Sequence, residues 1–306
     1  MTITSLNISD MHIEQVTDNH DLYPNGEKAA SPVWEKRSSY SLIGILDEVF
    51  SKIEDKSVVL EDLEVNPEAY RVEEGSVVVI DCPDGRLNKV DFQKIFHQLK
   101  GKPIQIVRIP GSTIGFTGAQ MGAIAQGYKA NGAPDVYATS HQDCGAAKAE
   151  AEAKGIEDSE LYAQQVVEDL EKTSGIKYLG YITADDEPEL LKRHSELALL
   201  VDMTGRRNQI PDGQLPEESF VLTASVYKNA ELLESHIKIL TGIALGHHGV
   251  GVAHDGSEGF SKEHPFYVFV SADNDGDLRK TISEAEASIK DLPDAVRIAG
   301  FIVPKE

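Results

Sequence analysis

The chain contains little cysteine, little tryptophan and few basic residues for its length. Two cysteines and one tryptophan occur among 306 residues, and 29 basic residues stand against 51 acidic ones, for a formal net charge of −22. Two cysteines cannot form the disulfide framework of a small secreted protein. Because so acidic a surface repels nucleic acid and anionic membranes, we expect neither as a partner. A small neutral substrate is indifferent to that charge.

Long apolar runs and a targeting segment are also missing. No stretch approaches the roughly 20 apolar residues that span a bilayer, and the N-terminal residues show no basic segment followed by an apolar run. We therefore expect a soluble, cytoplasmic protein. The apolar content of 41% is that of a globular protein with a sizeable core.

Short β-branched runs alternate with helical patterns along most of the chain. Residues 1–38 are polar and aperiodic and predict a flexible N-terminal arm, whereas residues 39–306 predict a single α/β domain. Strands are predicted at 76–82, 103–109, 135–141, 177–183, 265–271 and 295–303. Helices are predicted at 40–55, 89–101, 119–130, from 144 onward, and at 158–173, 228–245 and 277–291. This order predicts a mostly parallel β-sheet core flanked by helices, without an internal repeat and with an elaborated C-terminal half.

The two cysteines follow predicted strands and have polar neighbours. Cys82 lies in "IDCPDGRLNK" and Cys144 in "TSHQDCGAAKA", where His141-x-x-Cys144 spans a strand-to-helix turn. Since ligand sites of open α/β sheets lie at the carboxyl ends of the strands, these three side chains can converge. Two thiolates and one imidazole suit zinc, and catalytic zinc sites hold three protein ligands. The fourth ligand could then be another histidine, a carboxylate or water.

Asp84 and Arg86 follow Cys82 at alternate positions of a tight turn. An aspartate held by an arginine beside a metal can accept a proton from metal-bound water, which points to catalysis rather than to a structural site. Taken singly, each feature has a plainer interpretation: a buried cysteine is usually a small apolar residue, and Asp-x-Arg is usually a turn with a surface ion pair. A disulfide between Cys82 and Cys144 is a further alternative.

The same residues carry a resemblance to a known family. "CPDGR" resembles the Cys-x-Asp-x-Arg motif of β-class carbonic anhydrases, and "HQDCGAA" resembles their His-x-x-Cys-Gly motif, with 59 residues from Cys82 to His141. The Asp-Gly-Arg form resembles the ζ-class and carboxysomal shell enzymes. The resemblance covers about residues 76–155, the metal-site core, and "VRIPGS" lies where the family has an arginine-containing strand end followed by a glycine-rich loop.

This resemblance implies a β-carbonic anhydrase-like fold and the reversible hydration of CO2 to bicarbonate by zinc-bound hydroxide. It implies that Cys82, His141 and Cys144 bind one zinc per chain, with cadmium or cobalt as open alternatives, and that Asp84 and Arg86 form the catalytic dyad. Asp84 binding the metal in a closed resting state is also open. By correspondence, Arg108 and Gly111 would contribute to the substrate pocket. The resemblance further implies a homodimer or larger homo-oligomer.

Other readings of the chain stay open at this point. His247 and His248, in "GHHGVGVAH", could transfer protons or line the pocket, or they could simply meet exposed carbonyls at a helix end. His194, His236 and His264 stand in no motif. The same ligands could serve a carbon disulfide or carbonyl sulfide hydrolase, or a noncatalytic, zinc-stabilised scaffold protein.

Overall fold

The computed structural model describes residues 4–7, 41–61, 63, 72–191, 196–205, 216, 219–246, 260–262, 264–292 and 294–303. Within these ranges ten strands follow in chain order: β1 Thr4–Asn7, β2 Ser57–Glu61, β3 Val77–Asp81, β4 Ile104–Arg108, β5 Val136–His141, β6 Lys177–Ile182, β7 Ala198–Asp202, β8 Phe220–Thr223, β9 Phe266–Ala272 and β10 Val296–Ile302. The α-helices of the same ranges are α1 Ser41–Lys52, α2 Phe92–Ile95, α3 Gly118–Ala130, α4 Gly145–Lys154, α5 Ser159–Ser174, α6 Ala230–Ala244 and α7 Asp275–Ile289. The α/β class predicted from the sequence is confirmed.

The strands form two sheets in which neighbouring strands are parallel. One sheet has the order β1-β2-β10-β9-β7-β8 and the other has the order β4-β3-β5-β6. All residues of β3, β7 and β9 are buried, as expected for β-branched and aromatic strands that are covered by helices on both faces. The carboxyl ends of β3, β4, β5 and β6 therefore lie along one edge of their sheet, where the cysteine motifs follow.

The two halves of the chain repeat one topology, contrary to the prediction of no internal repeat. The spatial orders are β4-β3-β5-β6 in the first half and β8-β7-β9-β10 in the second. In each half, the second strand along the chain lies at the edge beside the first strand, and the third and fourth strands follow on the first strand's other side. Asp81 ends β3 and Asp202 ends β7, and each buried carboxylate accepts a hydroxyl hydrogen bond from the third strand of its half. Thr139 Oγ1 donates to Asp81 Oδ1 over 2.6 Å, and Ser271 Oγ donates to Asp202 Oδ1 over 2.9 Å. The C-terminal half therefore repeats the strand order of the N-terminal half.

The two sheets meet where β4 and β8 are the outer strands. The amide N–H of Arg108 donates to Thr223 Oγ1 over 2.9 Å, and the amide N–H of Val221 donates to the carbonyl of Pro83 over 3.1 Å. Asn88 Nδ2 donates to the carbonyl of Ser219 over 2.8 Å. The second half thus supports the segment that carries Cys82, Asp84 and Arg86.

One local prediction is wrong, and a short strand lies within the segment predicted as an arm. A continuous helix over 89–101 does not form, because Phe96 is extended (φ −111°, ψ 100°) and separates α2 from a 3-10 turn at His97–Leu99. Residues 4–7, which the sequence places in the arm, form β1 beside β2, since backbone pairing needs no periodic apolar pattern. Residues 8–38 lie outside the described residues. In the described part of the chain, no helix combines the length and apolar character needed to cross a bilayer.

Candidate metal centre

Cys82, His141 and Cys144 meet in one buried cluster. Cys82 follows β3, His141 ends β5, and Cys144 is the residue before α4. One ligand atom from each side chain lies within 4.8 Å of the other two, and the sulfur atoms of the two cysteines are 3.7 Å apart as free thiols. The relative exposures of the three residues are 3%, 1% and 6%. The cluster is close enough to bind a metal ion.

The backbone around the cluster explains this convergence. β3 and β5 are adjacent parallel strands, so the residues that follow them emerge at the same edge of the sheet. Asp143 adopts a left-handed conformation (φ 55°) that turns the chain between His141 and Cys144. Gly111 is also left-handed (φ 51°), and its amide N–H donates to Cys82 Sγ over 3.4 Å. A side chain at position 111 would collide with Ile114, because a Cβ there would lie 2.5 Å from Cδ1 of Ile114.

The imidazole of His141 is oriented as in a metal ligand. Its Nδ1 lies 2.9 Å from the carbonyl oxygen of Gln142, which can only accept, so Nδ1 carries the proton and Nε2 is left as a donor of electrons. Nε2 is buried and has no hydrogen-bond partner of normal geometry among the described residues. A buried polar atom without a partner is costly unless a ligand occupies its lone pair.

The electrostatics of the cluster favour a cation. Burial, followed by the neighbouring Cys144, raises the pKa of the Cys82 thiol well above its ordinary value. Burial works against a charged His141, yet the nearby Cys82, Asp84 and Asp81 raise the pKa of its imidazole overall. Burial makes the negatively charged thiolate of Cys82 unfavourable. A bound divalent cation would offset this cost, because a coordinated thiol loses its proton. Two sulfur donors and one imidazole fit a soft or borderline metal ion.

Asp84 and Arg86 form a buried ion pair beside the cluster. Arg86 Nε donates to Asp84 Oδ1 over 3.0 Å and Arg86 Nη2 donates to Asp84 Oδ2 over 2.6 Å, a two-point contact. Asp84 Oδ2 lies 3.9 Å from His141 Nε2. Asp84 is 2% exposed and Arg86 is 6% exposed. The structure therefore brings the predicted dyad to the predicted ligands.

Further contacts fix the guanidinium of Arg86. Its Nη1 donates to Asp143 Oδ2 over 3.0 Å and to the carbonyl of Leu190, and its Nη2 donates to the carbonyl of Asp143. Glu196 is buried nearby and accepts a hydrogen bond from the amide of Gly85 over 3.2 Å. Burial alone lowers the pKa of Arg86, but Asp84, Asp143 and Glu196 together raise it by more. The pKa of Arg86 therefore lies above its ordinary value. Sequence reasoning missed Asp143 and Glu196 in this role.

Arg108 ends β4, and Gly111 lies in the 3-10 turn that follows it near the cluster. The guanidinium of Arg108 is buried, pairs with Asp81 over 2.5 Å and donates to the carbonyls of Cys82 and Leu87. Arg108 thereby holds the segment that carries Cys82 in place. The hydrogen bonds of its guanidinium go to Asp81, Cys82 and Leu87. Gly111 contacts the cluster directly through its N–H. His247, His248 and His194 lie outside the described residues.

His236, which no motif marks, belongs to the surroundings of this site. It is 1% exposed, and its Nδ1 lies 2.6 Å from the hydroxyl of Tyr227. Burial lowers the pKa of His236 to about 4, against a hydrogen bond to the backbone of Ile114. Ile114 packs in the same apolar cluster as Cys82 and Cys144. The second half of the chain thus places a neutral imidazole and a phenol against the loop that covers the cysteines.

No family model, curated protein or solved structure matches the chain at a significant level. The interpretation of the site therefore depends on the geometry of its residues.

Proposed function

We propose that this protein is a zinc-dependent carbonic anhydrase of the β-like type, which interconverts CO2 and water with bicarbonate and a proton. The observation that carries the proposal is the convergence of Cys82, His141 and Cys144 within 4.8 Å, beside a buried Asp84–Arg86 pair. A structural Cys2His site has no need of an aspartate held at two points by an arginine.

Cys82, His141 and Cys144 would hold the zinc ion, in agreement with the partnerless Nε2 of His141 and with the soft donor set. A zinc ion with three protein ligands lowers the pKa of a coordinated water to about 7 and so supplies a nucleophile at neutral pH. The amide of Gly111 and the carbonyl of Gln142 orient two of the ligands from outside.

Asp84 would accept and orient the proton of the attacking water, since its Oδ2 lies 3.9 Å from His141 Nε2. Arg86 keeps the carboxylate of Asp84 in one orientation by its two-point contact, which fixes where a proton can be received. The residues packed around the cluster are buried and largely apolar, which would suit a small neutral substrate such as CO2 and would keep bulk water away. A part for His247 or His248 in removing the product proton stays a prediction, as does a homodimer or larger assembly in the cytoplasm.

The test measures zinc content and CO2 hydration together. Wild type, His141→Gln and the control His97→Gln, which alters an exposed histidine, are loaded with zinc and assayed by stopped flow near pH 8.5. We expect one zinc per chain and rapid hydration in wild type and control, and loss of both in His141→Gln. Zinc without hydration would overturn the carbonic anhydrase proposal, and the same samples assayed with carbonyl sulfide and carbon disulfide would then distinguish a hydrolase from a noncatalytic scaffold. Absence of bound zinc in the wild type would overturn the site itself.

A further inference from the structure

A cavity lies away from the metal cluster, between the two halves of the chain. Its volume is about 390 Å³, within the roughly 300–1,000 Å³ range of small-molecule sites. One wall is α3 together with Phe116, and the opposite wall follows the carboxyl ends of β7 and β8. None of the cluster residues lines it.

The cavity lies where an open α/β sheet usually binds a ligand, at the carboxyl ends of strands in the C-terminal half. β7 and β8 are adjacent parallel strands, and ligands of open α/β sheets bind beyond the carboxyl ends of such strands. In the first half, Cys82 follows the strand-ending Asp81, whereas Met203 follows Asp202 in the second half. Among the described residues, no cysteine, histidine or carboxylate lines the cavity, so this lining does not suit the ion that the first half would bind.

The charge of the lining distinguishes the cavity from the rest of the protein. Acidic residues make up 51 of the 306 residues, yet none of the described residues that line the cavity is acidic, whereas Lys228 is basic. In the described part of the chain, no carboxylate forms an ion pair with Lys228, which is exposed at the rim. In a protein of net charge −22, a cavity whose described lining has a lysine and no acid is a place suited to a negative group.

Residues with hydroxyl groups also line the cavity and can donate hydrogen bonds. Tyr128 and Ser225 both line the cavity. Burial and the neighbouring Asp202 raise the pKa of Tyr128, so its phenol stays protonated and can donate. The carboxylate of Asp202 does not line the cavity, and it accepts hydrogen bonds from the backbone and side chain of Thr204 and from Ser271.

Apolar side chains line the cavity beside the polar residues Gln120, Asn131 and Thr204. Phe116, Ile124 and Val226 line the cavity along with the ring of Tyr128. Phe116 is itself held edge-on against Tyr227, with ring centroids 5.1 Å apart. A lining that combines aromatic and aliphatic surface with several polar groups suits a molecule that has an apolar body and a polar group.

From these observations we propose that the cavity binds a small organic anion, in which an aromatic or similarly flat apolar body carries one carboxylate, sulfonate or phosphate. The acidic group meets Lys228, Tyr128 and Ser225, and the body lies between α3 and the strand ends. This site is separate from the proposed metal centre, and the proposal does not depend on carbonic anhydrase activity.

Gly127 provides a variant that fills the cavity without disturbing the fold. It lies on α3 in the cavity wall, and a Cβ added there meets no atom within 4 Å. Gly127→Leu therefore extends into the cavity and also replaces a helical glycine by a better helix former. Gly44, in α1, likewise has no atom within 4 Å of an added Cβ, so Gly44→Leu is the matched control.

The test uses 8-anilinonaphthalene-1-sulfonate as the anionic probe and the uncharged N-phenyl-1-naphthylamine as its counterpart, each titrated by fluorescence and calorimetry into full-length protein at low salt. We expect one site per chain that prefers the sulfonate, is retained in Gly44→Leu, and is lost in Gly127→Leu while the unfolding temperature is maintained. Lys228→Gln should weaken binding of the sulfonate about fivefold, with less effect on the uncharged probe. Equal binding by Gly127→Leu and wild type, or equal affinity of wild type for both probes, would overturn the proposal.

Discussion

The carboxylate of Asp84 is held through both of its oxygens by Arg86, and its Oδ2 lies 3.9 Å from Nε2 of His141. Asp84 is therefore near the ligand cluster but engaged by a competing cation. A carboxylate released from Arg86 could turn toward a metal, whereas one that stays engaged can receive a proton beside it. The strength of the Asp84–Arg86 contact consequently decides which role Asp84 takes.

The first prediction concerns the coupling between Asp84 and Arg86. Arg86→Met leaves Asp84 as a buried charge without its main partner, and we expect the free energy of unfolding to fall by about 3–5 kcal/mol. In Asp84→Asn/Arg86→Met the loss should be smaller than the sum of the two single losses, by about 1 kcal/mol or more. Urea unfolding at matched zinc content measures all three variants.

The exposed pair Glu48–Lys52 in α1 is the control for this cycle. Its coupling should stay below about 0.5 kcal/mol, because solvent screens exposed pairs within a helix. A coupling for Asp84 and Arg86 as small as that of the control would contradict the view that the two side chains act as one unit.

The second prediction concerns the stability of the protein in mild acid. Burial lowers the pKa of His236 to about 4, compared with about 6.5 in an unfolded chain. Between these values the unfolded state binds the proton and the folded state does not, so His236 makes the protein less stable as the pH falls from 6.5 toward 4. By pH 5 this effect should reach about 2 kcal/mol relative to pH 7.5.

His236→Gln should lose this part of the pH dependence, whereas His97→Gln, at an exposed site, should keep it. Chemical unfolding at several pH values from about 4.5 to about 7.5 measures the difference in pH dependence between the variants. This range covers most of the interval between the folded and unfolded pKa values of His236. Parallel pH profiles for wild type and His236→Gln would show that His236 does not stay neutral in the folded state.

The sequence predicts the strands that carry the site better than it predicts the rest. β3 and β5 are short, β-branched and followed by polar motifs, and these features place Cys82 and Cys144 at one edge of a parallel sheet. The helix predicted at 89–101 failed because its apolar spacing does not reveal the extended backbone at Phe96. Asp143 and Glu196 were missed since they reach Arg86 only through tertiary contacts.

The duplicated topology was also missed, because few side chains are shared between the halves. The two segments "VVVID" and "ALLVD" end in the same buried aspartate, and "LGYI" and "AGFI" share a glycine, but their helices differ in length and composition. Only the identical strand order and the matching hydroxyl-to-aspartate bonds show the repeat. The hydrophobic pattern of the sequence therefore predicts the strands and helices of the fold. The repeated topology becomes visible only from the pairing of strands that are distant in the chain.

The third prediction tests the packing of the second half. Gly300 in β10 allows α7 to approach the sheet, because a Cβ at this position would lie 2.6 Å from Ile282 Cδ1 and 2.8 Å from Leu278 Cδ1. Both contacts are in the fully buried core, so Gly300→Ala should reduce the free energy of unfolding by about 1–2 kcal/mol. Gly44→Ala, in open space on a helix, should instead raise it by about 0.5–1 kcal/mol. Thermal and urea unfolding would contradict the packing if both substitutions shifted stability in the same direction.

The most direct test of the central claim is a comparison of wild type with Asp84→Asn, each with its zinc content determined, by stopped-flow CO2 hydration. Asp84 is not among the three cluster ligands, so the variant should retain one zinc per chain. Its turnover should fall by at least about 100-fold, the usual effect of removing a group that accepts a proton. Asp169→Asn, on the exposed face of α5, should behave as wild type. Full activity in Asp84→Asn, or a wild type that binds zinc and does not hydrate CO2, would contradict the account.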